Sequence, residues 1–253
     1  MDDMGSALGE LEAEQRELDE ILNGLSAEQW STPTPSQGWD IRDQVSHLAD
    51  TNEIAVDTMT DGPRSLNVEV GRFDTPEAFT QSGCERGRAM EPKAVLEWWR
   101  ESGGLMNETF GQLDPKQRVP WGLGMTARTL VTARQMEHWA HGLDIRDALG
   151  IEVKANQRLR SVAWLITRAL PYAFTVSQTP LPADRSLRIE LDAMIDGQEQ
   201  HWSFGPQDAT DLIRGDALEF CRLGVQRCSR SETRLEFEGS FADMALDRLR
   251  AYL

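Results

Sequence analysis

Basic charge is scarce in this 253-residue chain, where 26 lysines and arginines face 42 aspartates and glutamates for a formal net charge of −16. Such a surface repels the nucleic-acid backbone and anionic headgroups, and no basic cluster offsets it, so neither nucleic acid nor membrane is an expected partner. An anionic small molecule would need local arginines to hold it. Cysteine is scarce too. Cys84, Cys221 and Cys228 form no C-x-x-C pair and no even set for a disulfide framework, a usage that fits a reducing compartment. Long apolar runs are missing, since no stretch reaches the roughly 18 residues a membrane span requires. The opening Met1-Asp2-Asp3-Met4 is acidic where a secretion signal carries basic residues before an apolar run, so a cytoplasmic protein is expected. The 40% of apolar residues and eight tryptophans that remain suffice for one large core or two modest ones.

Periodicity divides the chain near residue 150. Leu8, Leu11, Leu18, Ile21, Leu22 and Leu25 recur at helical spacing, and a Pro/Ser/Gly-rich connection from Ser31 to Gly38 ends that run. Asp40 then suits the N-cap of a second helix reaching to about Asp61-Gly62-Pro63. Residues 63–90 carry few apolar side chains and read as a long crossover or lid loop. Pro92 sits where a helix tolerates proline, in the first turn of a third helix with Val95, Leu96, Trp98, Trp99, Leu105, Met106 and Phe110 on its buried side. The prolines and glycines of Pro115 to Gly124 predict an ordered, non-helical loop, and a fourth helix runs from about Thr126 to Leu149, closed by Gly150. Four amphipathic helices with one long connection predict an antiparallel four-helix bundle over 1–150.

Residues 151–253 read differently. A helical run from Ala155 to Phe174 precedes two alternating segments, Ser186 to Leu191 and Gln198 to Phe204, which read as a strand pair. Ala209 to Arg227 reads as helix, Thr233 to Glu238 as strand and Phe241 to Leu253 as a closing helix. The expected fold class is therefore α+β and mainly α, a bundle followed by a smaller α+β domain.

Histidine is sparse as well, and three of the four histidines fall in two of these helices. In Glu137-His138-Trp139-Ala140-His141 the first and last residues are four apart and share one face, about 40° apart around the axis. Leu130, Ala133 and Ala148 lie on that same face, the one a bundle would bury. Burying a carboxylate with an imidazole is costly unless something pairs them. One solution is a metal ion, with His47 of the second helix as a third donor; a His/His/Glu set suits zinc or another divalent transition metal and leaves positions open for water or substrate. The other is a plain i,i+4 pair worth a few tenths of a kcal/mol. Spacing alone does not choose between them. His138 lies about 100° away from Glu137 and is the weaker donor.

Leu25-Ser26-Ala27-Glu28-Gln29-Trp30, Pro33-Thr34-Pro35 and Gly38-Trp39-Asp40-Ile41-Arg42-Asp43-Gln44-Val45-Ser46-His47-Leu48-Ala49 together resemble the opening of the mycothiol-dependent maleylpyruvate isomerase N-terminal family, one of the DinB-like metal-binding bundles. Ala133 to Gly150, with its Glu137-x-x-x-His141, resembles that family's second signature. Trp202-Ser203-Phe204-Gly205-Pro206, Phe220-Cys221 and Gln226-Arg227 are similar to an actinobacterial subgroup carrying a C-terminal α+β domain. The resemblance implies that His47, Glu137 and His141 are metal ligands, usually to zinc, and that mycothiol is a cosubstrate in isomerisation or S-transfer on a small electrophile. A metal-dependent hydrolase, lyase or cyclase that needs no thiol is the alternative, and a non-catalytic metal-binding protein a third.

Three further residues are candidates. Arg227, through its match to the subgroup's Gln-Arg segment, could hold a substrate carboxylate, or be an ordinary surface arginine. Trp121, with Gly122, sits where a loop could cover the bundle mouth and touch substrate, or simply pack. Asp144 could orient a ligand histidine from behind, or pair with Arg146 or Arg134. Cys221 and Cys228 read as core residues and His201 as structural.

Overall fold

The computed structural model describes residues 3–251 and divides into two compact units between Glu152 and Val153. The first is helical. Helix α1 (Met4–Asn23) starts on Asp3, whose carboxylate accepts the Gly5 N–H, and buries Leu11, Leu18 and Leu22. Helix α2 (Ile41–Thr60) opens on a capping box in which Asp40 accepts the Asp43 N–H and Asp43 accepts the Asp40 N–H in return. Helix α5 (Pro92–Gly111) carries Pro92 in its first turn, and α6 (Ala127–Leu149) ends on Gly150 at φ 68°, the left-handed conformation glycine accepts without strain. These four helices share a core of Leu18, Leu22, Ile41, Val45, Leu48, Val95, Trp99 and Ile145. Each large aliphatic side chain so buried contributes about 1.5–3 kcal/mol. Strands β1 (Arg118–Val119) and β2 (Met125–Thr126) pair in the loop before α6, where Gly122 and Gly124 take positive φ.

Residues 63–90 are not the expected loop. They form α3 (Leu66–Val70) and α4 (Pro76–Arg88), and α4 lies along α2. Its packing face is made of glycines, a cysteine and ion pairs, so no apolar stripe announces it. A Cβ on Gly87 would sit 1.7 Å from Ser46 Oγ, and one on Gly83 would sit 3.0 Å from Asp50 Cβ. Arg88 binds the buried Asp43 through two bonds of 2.8 and 2.7 Å, while Arg86 and Arg64 share Asp50 and Glu53. Covered by α4, α5 and α6, α2 buries polar residues on most of its circumference.

In the second unit α7 (Leu159–Val176) packs on α8 (Ala217–Gly224). A four-stranded sheet runs in the order β4-β3-β5-β6, from β3 (Leu187–Ile195), β4 (Gln198–Phe204), β5 (Asp211–Asp216) and β6 (Glu236–Glu238). The β3–β4 hairpin is the expected pair. The helix expected over 209–227 is instead a strand followed by a shorter helix, with β5 parallel to β3. Alternation is hidden in β5 because its first inward position is the charged Asp211, whose carboxylate accepts the Phe241 and Ala242 N–H groups that open α9 (Ser240–Arg248). The closing helix stops at Arg248, and positions 252 and 253 of its expected span lie outside the described residues.

Candidate metal centre

Helices α2 and α6 pack directly on each other, and this brings His47 beside His141. The imidazole centroids are 4.7 Å apart. One donor atom each from His47, Glu137 and His141 lies within 4.8 Å of the others, against an edge of about 3.4 Å in a tetrahedral zinc site with bonds of about 2.1 Å. Both histidines are buried and Glu137 is half-buried.

A polar relay fixes how His141 points. Gln44 Nε2 donates to Thr34 Oγ1 at 2.8 Å and to Asp144 Oδ2 at 3.2 Å, which leaves its Oε1 as the acceptor 2.5 Å from His141 Nδ1. His141 is thereby held with its proton on Nδ1, and Nε2 turns its lone pair toward Glu137 Oε2 at 3.5 Å. Two lone-pair donors facing each other in a buried place are stabilised by a cation between them, either a proton or a metal ion. The donor set is of the kind that holds a divalent transition metal.

Asp144 is linked to His141 through Gln44 rather than directly, and Ser36 Oγ also donates to it at 2.9 Å. Arg146 is ion-paired with Glu17. Trp39 covers the ring pair, stacked on His141 at 6.0 Å and tilted to His47 at 5.2 Å. The loop holding it is pinned by Thr34, whose N–H and hydroxyl both donate to Trp39 O. Gln44, Trp39, Thr34 and Ser36 escaped the sequence reading. Gln44 precedes His47 by three residues, Thr34 and Ser36 lie in the Pro/Ser/Gly-rich connection and Trp39 follows it, and Thr34, Trp39 and Gln44 all stand in the segments that carry the family resemblance.

His138 turns the other way. Its Nδ1 donates to Arg134 O at 2.7 Å and its Nε2 accepts from the Trp99 indole at 3.3 Å. Full burial, with the Arg134 charge nearby, pushes its pKa down to about 3, so it is a neutral core histidine. Trp121 stands in the β1–β2 loop with the Arg134 guanidinium carbon 5.9 Å from its ring. Arg227 belongs to the second unit, where it is half-buried and its Nη1 donates to Val225 O at 2.9 Å. Cys84 is buried against Asp43 O, and desolvation pushes its thiol up to about 12. Cys221 is fully buried and its thiol is raised well above the ordinary value by the same cause, whereas Cys228, expected in the core, is half-buried. His201 bonds Asp192 on the sheet surface.

Residues 11–146 match the family described as the mycothiol maleylpyruvate isomerase N-terminal domain. Uncharacterized proteins from two strains of Mycobacterium tuberculosis are 35% identical over 253 residues, spanning 100% of this chain and 97% of theirs. The crystal structure of a mycothiol-dependent maleylpyruvate isomerase is similar with a TM-score of 0.58, at 15% identity and covering 95% of this chain and 96% of that one. A histidine-to-alanine mutant of such an isomerase gives a TM-score of 0.60 at 15% identity, with 89% and 90% covered. At that identity the likeness speaks for the fold, mainly helical with a small sheet.

Proposed function

This chain belongs to the mycothiol maleylpyruvate isomerase N-terminal domain family, and on that premise we propose a divalent-metal-dependent enzyme, most simply a zinc enzyme, that uses mycothiol to isomerise or S-modify a small electrophile. The observation that carries the proposal is the convergence of His47, Glu137 and His141 on one point inside the bundle. A divalent cation bound there would supply the deprotonation of a thiol at neutral pH.

The chain's own residues account for the rest. Asp144 and Gln44 keep the His141 lone pair aimed inward, and Trp39 shields both imidazole faces from water. Cys84 is no nucleophile, because at a pKa of about 12 its thiol stays protonated, so the attacking sulfur must come from outside the bundle. That sulfur adds to a conjugated alkene carbon of the substrate, forming a C–S bond and moving the π pair toward the adjoining carbonyl. Rotation about the new single bond and expulsion of the same thiolate complete an isomerisation without consuming thiol. Protonation of the neighbouring carbon instead completes a transfer. Reliance on a free thiol suits a reducing cytoplasm.

Elemental analysis of purified protein beside a Glu137→Ala variant tests the donor set. About one metal per chain is expected in the wild type and a large loss in the variant, since one of three protein donors is gone. Unchanged metal in Glu137→Ala refutes the assignment. Turnover of a cis-unsaturated keto acid that is indifferent to added mycothiol would refute the thiol and favour the metal-only chemistry.

A further inference from the structure

Arg134 is buried to 1% exposure on α6, one turn before Glu137. Its Nη2 donates to Thr51 Oγ1 at 2.9 Å and to Asn52 Oδ1 at 3.0 Å, both neutral acceptors, while Nε is buried and bonds to nothing. Among the described residues no carboxylate lies within ion-pair distance of it. Glu137 is close enough for its charge to favour the guanidinium, but it is one of the three donors. Thr51 ties this head group to the candidate centre, for its hydroxyl donates to His47 O at 2.7 Å, one turn along α2. Trp121 lies across the guanidinium on the loop side.

Charge makes the arrangement incomplete. With a divalent cation among the donors, Glu137 and Asp144 supply two negative charges against three positive ones including Arg134. One buried positive charge then waits for an anion. A guanidinium whose Nε–H has no partner in a dry setting is suited to the charge-assisted bond that a carboxylate oxygen accepts.

We propose that Arg134 is the seat of a substrate carboxylate, so that the enzyme selects short-chain carboxylic electrophiles and holds them with the reactive carbon about one helical turn away, beside His47, Glu137 and His141. This rests on the metal-centre reading given above. It also moves the anion-holding role from Arg227, whose Nη1 is turned onto its own backbone, to a residue inside the bundle.

The test is calorimetric titration of succinate into metal-loaded wild type, Arg134→Met and Arg134→Lys, with metal content and melting temperature read on the same samples. Saturable binding to the wild type is expected, weakened at least tenfold in Arg134→Met with metal content retained, and intermediate in Arg134→Lys. A merely structural arginine would lower the melting temperature and leave succinate affinity where it was, which overturns the proposal. Should Arg134→Met fail to fold, the wild type alone decides, because the uncharged succinamide must bind at least tenfold more weakly than succinate. Equal binding of the two overturns the proposal. Wild type that holds no metal yet binds succinate through Arg134 would sink the metal reading and leave this one standing.

Discussion

Replacing Gln44 by methionine, a side chain of similar length with no hydrogen-bonding amide, isolates the relay behind the candidate centre. Three bonds go at once, those of Gln44 Oε1 with His141 Nδ1 at 2.5 Å and of Nε2 with Thr34 at 2.8 Å and Asp144 at 3.2 Å. Two consequences follow, and they are measured separately. Withdrawing a donor from the buried Asp144 costs the metal-free protein about 1–3 kcal/mol, and each kcal/mol lowers the melting temperature of a protein this size by about 2–4 °C. His141 also loses the partner that fixes its tautomer and ring orientation. Losing such a partner weakens metal binding by about 10–100-fold, or about 1.4–2.7 kcal/mol. Competition against a fluorescent zinc chelator gives the affinity, and thermal melting of metal-free protein gives the stability. A lower melting point with zinc affinity within about twofold of wild type would show that Gln44 only braces the bundle, and the orientation argument would fail.

Two further outcomes are expected. Gly87→Ala places a methyl 1.7 Å from Ser46 Oγ and 2.5 Å from its Cβ; overpacking of about 1–3 kcal/mol outweighs the gain of about 0.5–1 kcal/mol from removing a helical glycine. Gly104→Ala, with open space around it on α5, keeps only the gain, so the two variants should shift the melting temperature in opposite directions by thermal denaturation. Asp211 has its pKa lowered by hydrogen bonds from Thr210, Arg185 and the Phe241 and Ala242 N–H groups, which outweigh its desolvation. A carboxylate lowered in the folded state contributes stability above its unfolded pKa of about 3.9 and loses it as pH falls through the folded value. Asp211→Asn should therefore cost about 2–3 kcal/mol at neutral pH and flatten the acid limb of the stability curve below about pH 4; an acid limb as steep as wild type counts against it.

Some elements were legible in the residues because their causes are local. Asp40 and Gly150 mark helix ends through capping and a left-handed conformation that depend only on neighbouring residues. The β3–β4 pair shows itself by alternation and a two-residue turn. By contrast, α4 was missed because its buried face is glycine, cysteine and arginines committed to acids on α2. Such a face becomes favourable only when the partner helix is present. In the same way β5 hides its period because its first inward residue is a carboxylate answering the N-terminus of α9.

The candidate centre divides along the same line. Helical periodicity alone sets Glu137 and His141 on one face, since four residues make little more than one turn. Periodicity also says that His138 points elsewhere, and the amino-acid counts alone speak against a predominantly basic surface and a disulfide framework. Only the packing of α2 on α6 decided that His47 meets those two side chains, that Asp144 reaches His141 through Gln44, and that Arg134 is buried among neutral acceptors. These are relations between side chains 80 to 100 positions apart in the chain. Spacing along one helix fixes an angle, but the distance between two helices is fixed by what fills the gap between them.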